Sequence, residues 1–204
     1  MKVKTWMTKK LVTVTPDTSV KDILSLMSRK LIRHIPVLEG SRVVGLVTDG
    51  EIRNHILDFD NLSVAAKDVM ILNPITITPS ASIDSAATLI SRYNIGSLLV
   101  LYRRQLVGIL TRKDILTAFM ERFGLFRSGF SLDILLENRS DSFTEVISTI
   151  SRLGGRVVGV GVETKPSRRK VYQIRLDKGD WREIISALED RGHKVISLLE
   201  DDEI

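Results

Sequence analysis

The sequence predicts an α+β architecture: two βαββα units packed as one module, followed by a domain of βαββαβ order. Three observations carry that prediction. The first part of the chain resembles itself at a shift of 63 residues without a gap, β-branched alternation and helical spacing succeed one another in the same order in both copies, and the pattern changes after residue 129.

In the repeat, Met7 maps to Met70, Pro16 to Pro79, Gly45 to Gly108 and Thr48 to Thr111. LVTVTPDTSV and PITITPSASI each open with short β-branched alternation, then proline, then a serine or threonine suited to starting a helix. The segments that follow carry apolar residues at helical spacing, Val20, Ile23, Leu24 and Met27 in one copy and Ile83, Ala86, Ala87 and Ile90 in the other. HIPVL and SLLVL read as strands, with RVVGLVT and QLVGILT as their hairpin partners. Thr48 and Thr111 read as N-caps of a closing helix. A unit of about fifty residues leaves one sheet face apolar, so the two copies are expected to share a core.

Glycines 124 and 129 mark an expected linker. Beyond them SLDILLEN alternates as a strand, FTEVISTISRLGG is an amphipathic helix ending at Gly154 and Gly155, and RVVGVGVE is a strand. KVYQIRL, DWREIISALEDRG and KVISLL add strand, helix and strand, completing a ferredoxin-like order. The expected boundaries are residues 1–62 and 63–124 for the repeats and 129–204 for the last domain.

Composition excludes several function classes. With 43% hydrophobic and 27% charged residues the chain is an ordinary globular one. It has no cysteine, so disulfides, thiolate metal sites and a cysteine nucleophile are out, and His34, His55 and His193 lie too far apart in sequence for a local metal motif. The N-terminus lacks the apolar core of a secretion signal, and the apolar runs fall short of the roughly 18–20 residues that span a bilayer. A soluble cytoplasmic protein without membrane contact is expected. A net charge of +5 allows attraction to nucleic acid or to a phosphorylated ligand. The densest basic cluster, Lys165, Arg168, Arg169 and Lys170, encloses Pro166 and Ser167 and reads as a solvated hairpin loop; with 5% aromatic residues and no helix-turn-helix, nucleic acid is disfavoured. No P-loop is present, and Gly159-Val160-Gly161 leads into a strand rather than the helix that a dinucleotide fingerprint needs, so no enzyme is expected.

The segments TPDTSV, IRHIPVL and VVGLVTDGEI, then TPSASI, IGSLLVL and LVGILTRKDI, resemble two successive cystathionine β-synthase (CBS) motifs over roughly residues 1–123. That resemblance implies a regulatory module binding an adenine nucleotide or adenosyl ligand: AMP, ADP, ATP or S-adenosylmethionine, with no cofactor required. Its diagnostic element, glycine, two apolar residues, serine or threonine, two variable residues and aspartate, is met in full by Gly108, Ile109, Leu110, Thr111, Arg112, Lys113 and Asp114. A carboxylate one turn after an N-cap hydroxyl suits ribose, since it accepts from both ribose hydroxyls while Thr111 offers a further donor and acceptor. The alternative is a plain helix cap. The first copy departs from the pattern: Glu51 stands in the aspartate position after Thr48, one methylene longer, which either moves the carboxylate out of register or allows a rearranged contact.

In nucleotide-binding relatives a basic residue just before the second strand, supplied by the opposite repeat, contacts phosphate. Arg33 holds that place in copy one and Gly96 in copy two, which points Arg33 at the Thr111/Asp114 cleft, with His34 as a further phosphate candidate there; Lys113 holds the position from which relatives reach a phosphate in the other cleft. Adenine would insert between the first and second strands of its repeat, which nominates Ile75, Ile77 and Leu98, residues that read equally as core. The last domain resembles an ACT domain, which implies a homodimer and, through it, an effect on a regulated protein partner. Amino-acid-binding members have a glycine in the turn after the first strand; here that turn is Asn138, Arg139, Ser140, Asp141 and Ser142. The whole arrangement resembles acetoin-utilisation proteins, which implies a role in carbon metabolism.

Overall fold

The computed structural model describes residues 1–59, 64–126, 128–164 and 170–200. The basic loop at 165–169 lies outside them. The chain divides into two units, Met1–Ala118 and Phe119–Ile204. Among the described residues no helix is long and apolar enough to cross a membrane.

In the first unit the two copies fold alike. α2 (Val20–Lys30) and α5 (Ile83–Arg92) start where the Ser19 and Ser82 hydroxyls accept from the backbone N–H of Asp22 and Ser85, and they bury Val20, Ile23 and Met27 in one copy, Ile83, Ala86 and Ile90 in the other. β1 (His34–Glu39) pairs antiparallel with β2 (Arg42–Thr48), and β5 (Ser97–Tyr102) with β6 (Gln105–Thr111), in matching registers that set His34 opposite Thr48 and Ser97 opposite Thr111. α3 (Asp49–Phe59) and α6 (Arg112–Arg122) close the repeats, α6 running into the second unit.

The opening strands are shorter than the alternation suggests. In copy one only a parallel bridge, Val14 to Val37, forms; in copy two β4 (Thr76–Ile77) lies parallel to β5.

The copies also exchange their beginnings, which the sequence reading did not foresee. The short helix α1 (Val3–Trp6) bonds to the second copy, Val3 N–H to the Ala81 carbonyl at 2.9 Å and Lys4 N–H to that of Pro79 at 3.0 Å. Its counterpart α4 (Ala66–Val69) bonds to the first, Ala66 N–H to Thr18 at 2.8 Å and Lys67 N–H to Pro16 at 2.9 Å. Ala66 and Val69 accordingly sit in the core built by Val20, Ile23, Ile35 and Val47 of copy one. Just beyond, β3 (Ile71–Leu72) pairs with β2, and Thr8 bridges Ile109 of β6. The repeated Met–Gly pairs explain this seam: a Cβ on Gly45 would fall on the Met70 thioether, and one on Gly108 on that of Met7. Leu46, Leu99 and Ile109 form a further apolar cluster shared by the two copies.

In the second unit β7 (Phe130–Leu135), α7 (Ser142–Arg152), β8 (Val157–Thr164), β9 (Lys170–Leu176), α8 (Trp181–Glu189) and β10 (Lys194–Glu200) follow the expected βαββαβ order. Their strands form one antiparallel sheet in the order β10-β7-β9-β8. One sheet face, with Phe130, Leu132, Ile134, Ile174 and Leu176, packs on Val146 and Ile150 of α7 and Ile184 and Leu188 of α8. The segment expected as a linker is partly built into this unit: buried Arg175 donates through Nε to the Gly124 carbonyl at 3.0 Å, and Gly159 leaves room for the Phe123 carbonyl.

Candidate functional site

Each repeat ends its hairpin in a threonine that starts the closing helix, but the two carboxylates one turn later behave differently. The Asp114 Oδ2 accepts from the Thr111 backbone N–H at 2.7 Å and from the Thr111 hydroxyl at 2.8 Å, while the Asp114 N–H donates back to Thr111 Oγ1 at 3.3 Å. This is a reciprocal cap. In the first copy the Glu51 N–H donates to Thr48 Oγ1 at 3.2 Å, but the longer side chain does not fold back onto the threonine and instead borders a cavity.

That cavity, of about 390 Å³, is walled by both copies. Copy one supplies His34, Leu46, Thr48 and Glu51. Copy two supplies the segment around Ile71 and Ile75 with Asn73 and Pro74 between, and the turn from Tyr93 to Ser97. Its size falls in the roughly 300–1,000 Å³ range of small-molecule sites.

The exchange of chain beginnings decides which residues meet here. Because β3 crosses to β2, the segment that follows it lies beside Thr48 and Glu51. Ile75 therefore belongs with the first copy's carboxylate, contrary to the expectation that it serves Thr111 and Asp114. His34, expected as a phosphate ligand of the Thr111/Asp114 cleft, likewise borders the Thr48/Glu51 cavity. Ile77 and Leu98 are core, 8% and 0% exposed, with Leu98 opposite Leu110 in the sheet; neither lines this cavity. Arg33 is exposed, and its carbonyl accepts from the Asp49 N–H at 3.0 Å. Lys113 is exposed on the first turn of α6.

Two features of the wall escaped the sequence reading. Ser97 is buried, and among the described residues its hydroxyl has no hydrogen-bond partner. Gly96 stands where copy one has Arg33, and a Cβ there would collide with Nε2 of His34, so the missing side chain lets the imidazole lie against the turn. Applying the 63-residue shift to His34 would have pointed to Ser97.

Burial holds His34 below the usual histidine range, Arg33 and Arg112 push the same way, and Asp49 opposes them. An unfolded histidine takes up its proton near pH 6.5, whereas folded His34 resists until lower pH. The unfolded state then binds more protons in that window, so stability is complete above it and falls as pH drops through it. The urea midpoint is expected to decline on acidification below about pH 6.5, and to decline less in His34→Gln. Parallel curves for the two proteins would remove His34 as the cause.

In the second unit the turn at 138–142 borders another cavity, of about 820 Å³, together with Leu135, Lys170, Tyr172 and Lys194. Buried His193 braces this turn: its Nδ1 accepts from the Glu137 N–H at 3.2 Å, and its Nε2 lies 3.2 Å from Glu145, which also pairs with Arg139.

A family model for the CBS domain matches residues 3–58 and 66–121, the two copies just described. The chain belongs to the CBS-domain family. Inosine-5′-monophosphate dehydrogenase of Korarchaeum cryptofilum is 34% identical over 106 residues, which are 52% of this chain and 21% of that protein. The chain thus spans about a fifth of that relative's length. The CBS domain pair of protein MJ0100, solved with 5′-methylthioadenosine and S-adenosyl-L-methionine, superposes with a TM-score of 0.55 at 26% identity, over 58% of this chain and 99% of that one. CBSX2 in complex with AMP gives 0.52 at 28% identity, over 58% and 96%. An acetoin-utilisation protein, AcuB of Vibrio cholerae, gives 0.54 at 24% identity over 59% and 90%, a likeness of fold alone.

Proposed function

We propose that this chain is a non-enzymatic regulator whose CBS pair binds an adenosyl ligand. The observation that carries this reading is the cavity of about 390 Å³ in which Thr48, Glu51, His34, Ile75 and Ser97 converge from both repeats. The Glu51 carboxylate would accept from the ribose hydroxyls with Thr48 beside it, and Ile71 and Ile75 would flank the base. The Thr111/Asp114 pair is the second ribose candidate, with Arg33 as its phosphate partner. AMP in CBSX2 and 5′-methylthioadenosine and S-adenosylmethionine in MJ0100 support the ligand class. A ligand held between the two copies favours one angle between them, and a sensor works when its affinities for two shapes differ. The second unit, in this reading a ferredoxin-like domain of the ACT-like kind, joins two chains in the cytoplasm and passes the change to a protein partner.

Calorimetric titration with AMP, ADP, ATP and S-adenosylmethionine tests this. Saturable binding is expected, weakened by Glu51→Ala or Asp114→Ala according to the cleft used. A ligand at 100 times its Kd should raise folding stability by about 2.7 kcal/mol. If none of the four binds, the pair is a scaffold.

A further inference from the structure

We propose that the Thr48/Glu51 cavity selects adenosyl ligands that carry no phosphate, because among the described residues its wall holds a carboxylate but no lysine or arginine. The inference rests on the adenosyl reading of this cavity and narrows it to a chemical class.

Phosphate recognition needs fixed cations or a cluster of free backbone N–H groups. The lining residues that bear or can gain charge are Glu51, His34 and Tyr93. His34 resists protonation through burial and the nearness of Arg33 and Arg112, so around neutral pH it is a neutral ring. The Arg112 guanidinium is bonded to the wall itself: Nε donates to the Ile95 carbonyl at 2.8 Å and a terminal nitrogen to Asn94 Oδ1 at 2.9 Å. At the position where copy one carries Arg33, copy two has Gly96, and the His34 ring occupies the room a side chain there would need. A phosphorylated ribose would bring a charge of about −1.5 to −2 into the same cavity as Glu51, with no lysine or arginine among its described lining residues. A nucleoside, a thioether or a sulfonium at the 5′ position carries no such penalty, and a sulfonium gains from Glu51.

The two clefts can be tested apart. In an Asp114→Ala chain, with Asp114→Asn as the second variant should the first misfold, every residue of this cavity stays in place. Calorimetry on it is expected to show 5′-methylthioadenosine binding at least about tenfold more tightly than AMP, and losing at least about tenfold when Glu51→Ala is added. Restoring the cation with Gly96→Arg, together with His34→Ser to clear the space, should raise AMP affinity and erase the preference. AMP binding as tightly as 5′-methylthioadenosine, with both lost on Glu51→Ala, overturns the selectivity while leaving the adenosyl site standing. Binding of neither molecule to the wild-type chain overturns the adenosyl reading itself, and the selectivity with it.

Discussion

Leu98→Ala is expected to cost about 2–5 kcal/mol of folding stability, whereas Ile75→Ala should cost less than about 1 kcal/mol and instead weaken ligand binding. Both residues sit in the second repeat and are nominated by the sequence for adenine, and the structure separates them by burial. Leu98 is 0% exposed in β5, opposite Leu110 of β6, so truncation leaves a void that surrounding strands fill only in part. Ile75 is half-buried on the cavity wall beside Asn73 and Pro74, where its loss enlarges a space already open. Trp6 is in the first unit and Trp181 in the second, so a Trp181→Phe background lets Trp6 emission follow the unit that holds both sites during urea unfolding. A Leu98→Ala chain that keeps its midpoint but loses ligand would make Leu98 a binding residue after all.

What the sequence disclosed and what it hid follow from the range of the forces involved. Caps and amphipathic helices are local: Ser19 and Ser82 close on donors three residues ahead, and Val20, Ile23 and Met27 recur at helical spacing, so both were legible. The exchange of α1 and α4 was not. Each is four residues long and held by hydrogen bonds to the opposite repeat, an arrangement that no local propensity encodes. The same limit governs the site. Thr48, Glu51, Thr111 and Asp114 stand out because cap and carboxylate are three residues apart in sequence. The allotment of Ile75 to a cleft depends on β3 crossing to β2, and Gly96 matters through a histidine 62 positions away. In the second unit the element order could be read from alternation and periodicity, while the placement of β7 between β9 and β10 is a tertiary outcome.

That central placement makes Gly129 the most sensitive glycine of the second unit. A Cβ there would overlap the carbonyl oxygen of Leu176 and press on its carbon at 2.9 Å and on Asp177 Cα at 3.0 Å. All three are backbone atoms of β9 or its exit, so no side-chain rotation relieves the clash. Phe130, the next residue, pairs with Leu176 on one side and Glu200 on the other, so moving the entry of β7 disturbs two ladders at once. Gly129→Ala is therefore expected to cost about 3 kcal/mol or more, at or above the upper end for overpacking. Gly154 gives the contrast. Its φ of +74° disfavours any side chain, but a Cβ there meets nothing within 4 Å, so Gly154→Ala should cost only the roughly 1–2 kcal/mol of a left-handed alanine. Urea unfolding followed by Trp181 emission in a Trp6→Phe background compares the two directly. Equal losses would mean that β7 can shift without breaking its pairing, and that backbone conformation rather than the approach of β9 sets the need for glycine at 129.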